Sequence, residues 1–295
     1  MYVSFVGWGN WMVNFRTLEM MFRLSGKFSN LFHIALCLKF GSFPITAISR
    51  NGDTVEILSW AHLYALSYDF SYEIDSERNL ASFQVSGRNV ILTDAINNGD
   101  IAEIFGANPF RILNPKGKTV IDIGANIGDS SIYFAINGAT KVFAVEPFPR
   151  SYSSLVKNIN LNGLTEVIVP INAAIKSKKG EITLPLENGD IGSKAVYDHS
   201  YTGTTVQIPT ITLDEIFDNV KSEDIILKMD CEGCEYEVIP TLKEYLFDKI
   251  STICLEYHKD YSYLAQFIKR RGYYVDVRKY SKHNGYIYAF KNGHK

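Results

Sequence analysis

The chain has 295 residues, 46% hydrophobic and 21% charged, with a formal net charge of −2. That composition can bury a sizeable core and excludes a disordered sequence; the length suits one large domain or a main domain with an appended one. No dense Lys/Arg block is present, which disfavours a nucleic-acid partner, and no apolar run reaches the roughly 20 residues that cross a bilayer.

The first hundred residues read as helices and hairpins. "NWMVNFRTLEMMFRLSG" places Trp11, Phe15, Leu18 and Phe22 on one helical face, with Gly26 as its stop. Arg16 and Arg23 interrupt its apolar character, and a helix packed on its own domain is preferred over one lying on a membrane surface. "SNLFHIALCLKFG" predicts a second short helix, with Ser29 as cap and Gly41 as stop. "ITAISRNGDTVEIL" reads as a hairpin about Asn51-Gly52, a pair suited to a type I′ turn, and "ASFQVSGRNVILTD" repeats the pattern around Gly87. The aromatic stretch "HLYALSYDFSYE" between them can stack on a sugar, but packing is the simpler use.

From Lys118 the pattern becomes alternating strand and helix. Strands are expected at Thr119–Ile123, Lys141–Val145, Val167–Ile171, Ile225–Met229, Thr252–Glu256, Tyr273–Val277 and Gly285–Phe290. Helices are expected at Ser130–Ile136, Ser151–Asn162, Glu235–Phe247 and Tyr261–Arg271. This order predicts an α/β fold, a doubly wound and mostly parallel sheet. The last two strands are joined only by "KYSKHN", too short for a crossover helix, so the last strand should be antiparallel. The polar segment "ENGDIGSKAVYDHSYTG" is long enough for a functional loop. Two regions follow: residues 1–109, a helical and hairpin region that could cover an acceptor site, and residues 110–295, a nucleotide-binding domain.

Ligands of such sheets sit at the carboxyl ends of the strands. Here the first strand ends in Asp122-Ile123-Gly124, and Gly124 and Gly128 allow close backbone approach at a helix start. The spacing is G-x-x-x-G, not the G-x-G-x-x-G of dinucleotide enzymes, and alone it could mark only a tight turn. Glu146 ends the second strand, where a carboxylate can accept from both ribose hydroxyls. No lysine follows the glycines, so there is no triphosphate loop. One ribose, an adenine and an amino-acid tail fit better than a pyrophosphate, which favours S-adenosylmethionine over NAD. The expected cofactor-binding set is Asp122, Gly124, Asn126, Gly128, Glu146, Pro147, Phe148, Asn172 and Ala173. Asn172 and Ala173 would lie at the adenine edge and Pro147 or Phe148 over its face; Asn172 could equally be a turn residue.

"VIDIGANIGDSSIYFA", "AVEPFP", "ITLDEI", "LKMDCEGCEYEVI" and "LEYHKD" together resemble the FkbM family of S-adenosylmethionine-dependent methyltransferases, across roughly Lys118 to Gly272. "NNGDIAEIF" upstream is a looser likeness. The resemblance implies a class I methyltransferase, Rossmann-like fold and methyl transfer to oxygen, often on a sugar, glycan or polyketide hydroxyl. It leaves the acceptor open.

The strand Ile225–Met229 delivers Asp230, Glu232 and Glu235 to the same edge. Acids this close need compensation from the cofactor's cationic groups, a metal ion, Lys228 or a raised pKa. Solvated charges capping the next helix suit Glu235 and Glu237. Glu256 and His258 share a face at the end of the next strand. The expected catalytic set is therefore His258, Asp230, Glu232 and Glu256, with His258 the preferred general base, Asp230 second, and no resident metal. Cys231 and Cys234 form a CxxC, but Cys37 and Cys254 lack the spacing to complete a zinc site, so buried free thiols are expected. The expected partner is a small-molecule or glycan acceptor. Rival readings are an RNA methyltransferase on the same fold and a catalytically silent cofactor- or sugar-binding protein. The amino terminus lacks the features of a secretory leader, so the expected location is cytoplasmic.

Overall fold

The computed structural model describes residues 15–95, 99, 101–185, 204–280 and 283–291. Trp11 and the whole of the polar segment 187–203 lie outside the described residues. The chain forms two compact units, Met1–Arg111 and Ile112–Lys295.

In the first unit, helices α1 (Phe15–Ser25), α2 (Leu31–Phe40) and α3 (Trp60–Ser67) accompany a hairpin of β1 (Ile45–Ile48) and β2 (Thr54–Ile57). Met20, Leu24, Phe28, Ile34, Ile45, Ala47, Ile57 and Leu63 form its core. Met20 and Leu24 turn α1 inward, whereas Leu18 and Phe22 are exposed. The face predicted to pack is thus the outward one. Two apolar stripes compete on this helix, and periodicity alone does not choose between them. Gly41 ends α2 in the left-handed conformation. Ser29 does not cap it: its hydroxyl donates to the Ile48 carbonyl, and the Asn30 side chain ties the helix start to β1 through Thr46 O and Ile48 N–H.

The β1–β2 connection spans five residues, 49–53, with Gly52 but not Asn51 at positive φ, so it is not the expected type I′ turn. A sheet of β3 (Glu73–Asp75), β4 (Leu80–Val85) and β5 (Arg88–Thr93) follows. Its β4–β5 hairpin turns on Ser86 and Gly87, both left-handed, as a two-residue I′ turn requires. The aromatic stretch packs on itself and on its neighbours. Tyr64 meets Tyr68 edge-on at 5.2 Å, and Phe70 meets Phe83 at 5.1 Å.

The second unit is built on β6 (Thr119–Ile123), β7 (Lys141–Val145), β8 (Ile168–Ile171), β12 (Ile225–Met229), β13 (Ile250–Tyr257), β14 (Tyr273–Lys279) and β15 (Gly285–Lys291). They form one sheet in the order β14-β15-β13-β12-β6-β7-β8. β15 runs antiparallel to both its neighbours, and the remaining pairs are parallel. β6, β12 and β13 are buried at every residue, as strands covered on both faces must be. α4 (Asp129–Ile136) follows β6, α5 (Pro149–Leu161) follows β7, and α8 (Ser262–Lys269) follows β13. α5 starts on Pro149, whose fixed φ suits a first helical turn.

Two features were not anticipated. β9 (Ala174–Ile175), β10 (Gly180–Pro185) and β11 (Thr205–Ile211) form a small side sheet, and α6 (Leu213–Phe217) opens with a capping box of Thr212 and Glu215. The helix expected over Glu235–Phe247 is broken. α7 covers only Glu235–Val238, followed by 3-10 turns at Ile239–Thr241 and Glu244–Asp248. Pro240 has no N–H to donate, and its ring crowds the carbonyl four residues back, so a continuous helix cannot form.

Candidate active site at the carboxyl edge of the sheet

The chain leaves β6 toward β7 and β8, then returns to the other side of β6 with β12 and β13. The carboxyl ends of β6 and β12 therefore flank the topological switch, where open α/β sheets bind ligands.

Asp122, fully buried in β6, accepts from Ser130 Oγ at 2.7 Å and Ser131 Oγ at 2.6 Å, and its other oxygen lies 3.0 Å from Lys228 Nζ. Its carboxylate is thus committed to the start of α4 and to β12. Burial alone would lower the Lys228 pKa, but Asp122 and then Asp230 outweigh it and hold the ammonium above its ordinary value. Lys228 also donates to the Gly124 carbonyl at 3.0 Å. The serine pair was missed from sequence; two hydroxyls directly after a Gly-x turn were the available signal.

Gly124 has φ +77°, and a Cβ there would lie 1.8 Å from the Asp230 carbonyl oxygen. Its bareness lets the loops after β6 and β12 touch, and Asp230 N–H donates to Ile123 O at 2.9 Å across the same seam. A Cβ on Gly128, at φ +92°, would lie 2.6 Å from Leu155 Cδ1, so this glycine permits α5 to pack against the turn.

Glu146, directly after β7, is buried, yet both its oxygens are used. Oε2 accepts from Asn126 N–H and Oε1 from Phe148 N–H, each at 2.9 Å. Burial pushes its pKa up to about 7, against the opposing pull of those two N–H groups and of Lys228. Asn126 adopts φ +48° to present its N–H. Asn172, after β8, donates its amide to the Glu146 and Pro147 carbonyls at 2.9 and 3.1 Å, and Ala173 beside it is buried. A ribose diol brings two hydroxyl donors. Each Glu146 oxygen holds one N–H and retains acceptor capacity, so these residues fit a nucleoside-bearing cofactor.

On the β12–β13 side the loop carries a disulfide, Cys231–Cys234, where free thiols were expected. Left-handed Glu232 (φ +59°) and Gly233 (φ +119°) fold the four residues back until the cysteine Cα atoms are 5.5 Å apart. Glu235 is not a solvated cap. It is fully buried, accepts from Cys231 N–H at 2.9 Å and Gly233 N–H at 2.8 Å, and burial raises its pKa to about 7. Glu237 does not cap the helix either: it accepts from the Ser177 N–H and hydroxyl and pairs with Lys176 at 3.1 Å.

His258 Nε2 lies 3.2 Å from Glu232 Oε2 and 3.7 Å from Glu256 Oε1. Burial disfavours ionisation of Asp230, but Lys228, His258 and a hydrogen bond with the Glu256 carboxyl hold its pKa below the ordinary value. Asp230, Glu256 and His258 each bring a ligand atom within 4.8 Å of the others, a mixed carboxylate–imidazole set able to hold a divalent ion. Glu235 faces the loop backbone instead. The four residues expected to be catalytic therefore converge, and Lys228 pairs with Asp122 rather than with the acids of the loop.

This strand order, with its antiparallel β15, glycine turn and buried acid after β7, is the Rossmann-like fold of class I methyltransferases. The Methyltransferase FkbM domain family matches residues 122–288, and the chain belongs to it. It is a methyltransferase, and its cofactor is S-adenosylmethionine. A curated relative, "Methyltransferase sdnD" of Sordaria araneosa, is 25% identical over 186 residues, 52% of this chain and 72% of the relative. Among solved structures, precorrin-6y C5,15-methyltransferase from Geobacter metallireducens has TM-score 0.39 at 14% identity, covering 61% of this chain and 84% of that one. Trm5 of Methanocaldococcus jannaschii, in complex with adenosine, has TM-score 0.38 at 18% identity, covering 72% and 56%. TrmK of M. capricolum, with S-adenosyl-homocysteine, has TM-score 0.32 at 17% identity, covering 59% and 62%.

Proposed function

We propose that the protein is an S-adenosylmethionine-dependent O-methyltransferase acting on a hydroxyl of a sugar, glycan or related metabolite. The observation that carries this reading is the imidazole of His258 set between Glu232 and Glu256, at the strand edge that also carries Glu146. In this reading Glu146 accepts from the ribose, the Gly124–Gly128 turn with Asn126 borders the amino-acid tail, Pro147 or Phe148 covers the adenine, and Asn172 and Ala173 border its edge. Asp122 holds the turn in shape from behind. When bound, the cofactor's sulfonium supplies an electrophilic methyl.

In this reading His258 takes the hydroxyl proton at Nδ1, while Glu232 and Glu256, both beside Nε2, orient the ring and stabilise its protonated form. In the same reading Asp230, kept ionised chiefly by the Lys228 ammonium, holds the acceptor. Aligning acceptor oxygen and methyl is the protein's remaining task.

The test is to incubate the protein with labelled S-adenosylmethionine and fractionated extract and follow which fraction takes the label. Label in a glycan or small-molecule fraction supports the reading, and label in RNA overturns it. With the acceptor in hand, His258→Ala should slow single-turnover transfer by about 10²–10⁴; undiminished transfer removes His258 as the base.

A further inference from the structure

We propose that Asp230, Glu256 and His258 form a seat for a divalent transition-metal ion of the zinc type, and that an ion in it takes the lone pair with which His258 would accept a proton. The seat follows from strand register. β12 and β13 run parallel with Met229 opposite Leu255, which brings the next residues, Asp230 and Glu256, side by side. Side chains alternate along β13. Tyr257 enters the core, so Glu256 and His258 project together on the other face. One ligand atom from each of the three residues lies within 4.8 Å of the other two.

The imidazole itself points to a ligand. Both ring nitrogens of His258 are shielded from water and neither makes a hydrogen bond, although Nε2 lies 3.2 Å from Glu232 Oε2 and 3.7 Å from Glu256 Oε1. Buried polar atoms are hydrogen-bonded as a rule, and a ring nitrogen that is not can bind a metal instead. Glu256 is buried and Asp230 half-buried beside it, and carboxylates this close are eased by a cation between them. Lys228 does not stand there: its ammonium is held by Asp122 and by the Gly124 carbonyl, each at 3.0 Å. The donor chemistry selects the ion. Zn²⁺ takes imidazole nitrogen and carboxylate oxygen at about 2.0–2.2 Å, often from three protein ligands with a fourth position open. Ligand atoms on such an ion stand roughly 3–3.5 Å apart, near the spacing already present between His258 and Glu256. Mg²⁺ prefers oxygen ligands alone, and the imidazole disfavours it. Binding rests on this geometry; its consequence for methyl transfer rests on the proposed reading of His258 as the base.

The experiment titrates the full chain with Zn²⁺ by calorimetry and with Co²⁺, its spectroscopic stand-in, by visible absorption, without reductant so that Cys231–Cys234 stays closed. One equivalent should bind and give cobalt d–d bands without a thiolate charge-transfer band. His258→Ala and Asp230→Asn should each weaken binding by about tenfold or more, since even an outer partner of a metal ligand is worth that much. Retained S-adenosylhomocysteine affinity shows that a variant is folded; if one fails this control, the other carries the test, with Glu256→Gln beside it. No binding, or binding unchanged in the folded variants, overturns the seat. So does a thiolate band, which would put the ion on the His33–Cys37 pair of α2, 3.6 Å apart. With the acceptor fraction in hand, Zn²⁺ at ten times its Kd should slow transfer by about tenfold and a chelator should restore it. Transfer that Zn²⁺ leaves unchanged or speeds overturns the competition with the base. Label in RNA removes the proposed function without touching the titration, and a failed titration removes the seat without touching the labelled product.

Discussion

Glu146 provides the sharpest test of the cofactor site. Its carboxyl is buried, its pKa is raised to about 7, and each oxygen already accepts one backbone N–H. Ribose hydroxyls donate, so they bind the ionised form; the protonated form places a hydrogen where an acceptor is needed. Below pH 7 each unit of acidification should therefore weaken nucleoside binding by about tenfold, or about 1.4 kcal/mol. Calorimetric titration with S-adenosylhomocysteine from pH 5.5 to 8.5 should give a log Kd that falls with unit slope up to about pH 7 and then flattens. Glu146→Gln should erase the bend and lose about 1.5–3 kcal/mol at pH 8, the worth of a charged hydrogen bond and at least tenfold in Kd. A flat wild-type profile, or the same bend in Glu146→Gln, would refute the argument.

Other parts of the site give independent expectations. Lys228→Met leaves Asp122 buried without its cation and should cost about 3–5 kcal/mol, read as a fall in the denaturant midpoint. Gly124→Ala puts a methyl against the Asp230 carbonyl at φ +77°; the backbone strain alone costs about 1–3 kcal/mol, and the melting temperature should drop accordingly. Reducing Cys231–Cys234 releases a four-residue loop and should cost about 2 kcal/mol, measured as a shift in melting temperature with and without a dithiol. Glu235→Gln should flatten the pH dependence of stability. A carboxyl raised from 4.5 to about 7 contributes stability that is complete below pH 4.5 and lost as pH rises through 7, worth about 3 kcal/mol across that window, measurable by urea unfolding.

What could be read from the sequence was what local pattern determines. β6, β7 and β12 fall on the expected residues because short apolar runs bounded by polar turns leave little choice. The antiparallel ending followed from a connection too short to cross over. What could not be read depended on tertiary choice. α1 carries two apolar stripes, and only the core shows that Met20 and Leu24, not Leu18 and Phe22, face inward. The CxxC spacing is shared by thiols, metal sites and disulfides; the left-handed turn at Glu232 and Gly233 closes it. Pro240 is a legible breaker inside the expected helix Glu235–Phe247. β9 is two residues long, too short to leave a pattern.

The acids of the edge show why residue type alone does not assign a role. Glu146 and Glu235 follow strands on opposite sides of β6, and each accepts two backbone N–H groups within its own loop region. Burial raises both to about 7. They are the same device, a buried carboxyl that organises a loop by collecting its amides. The difference lies in what else each faces. Glu235 is enclosed beneath the loop closed by the disulfide, so protonating it affects folding stability. Glu146 stands at the strand end beside the glycine turn, so in the proposed reading its protonation also affects cofactor affinity. Substituting each in turn separates the two consequences: Glu235→Gln should change the pH profile of unfolding while leaving the bend in the binding profile, and Glu146→Gln should remove that bend.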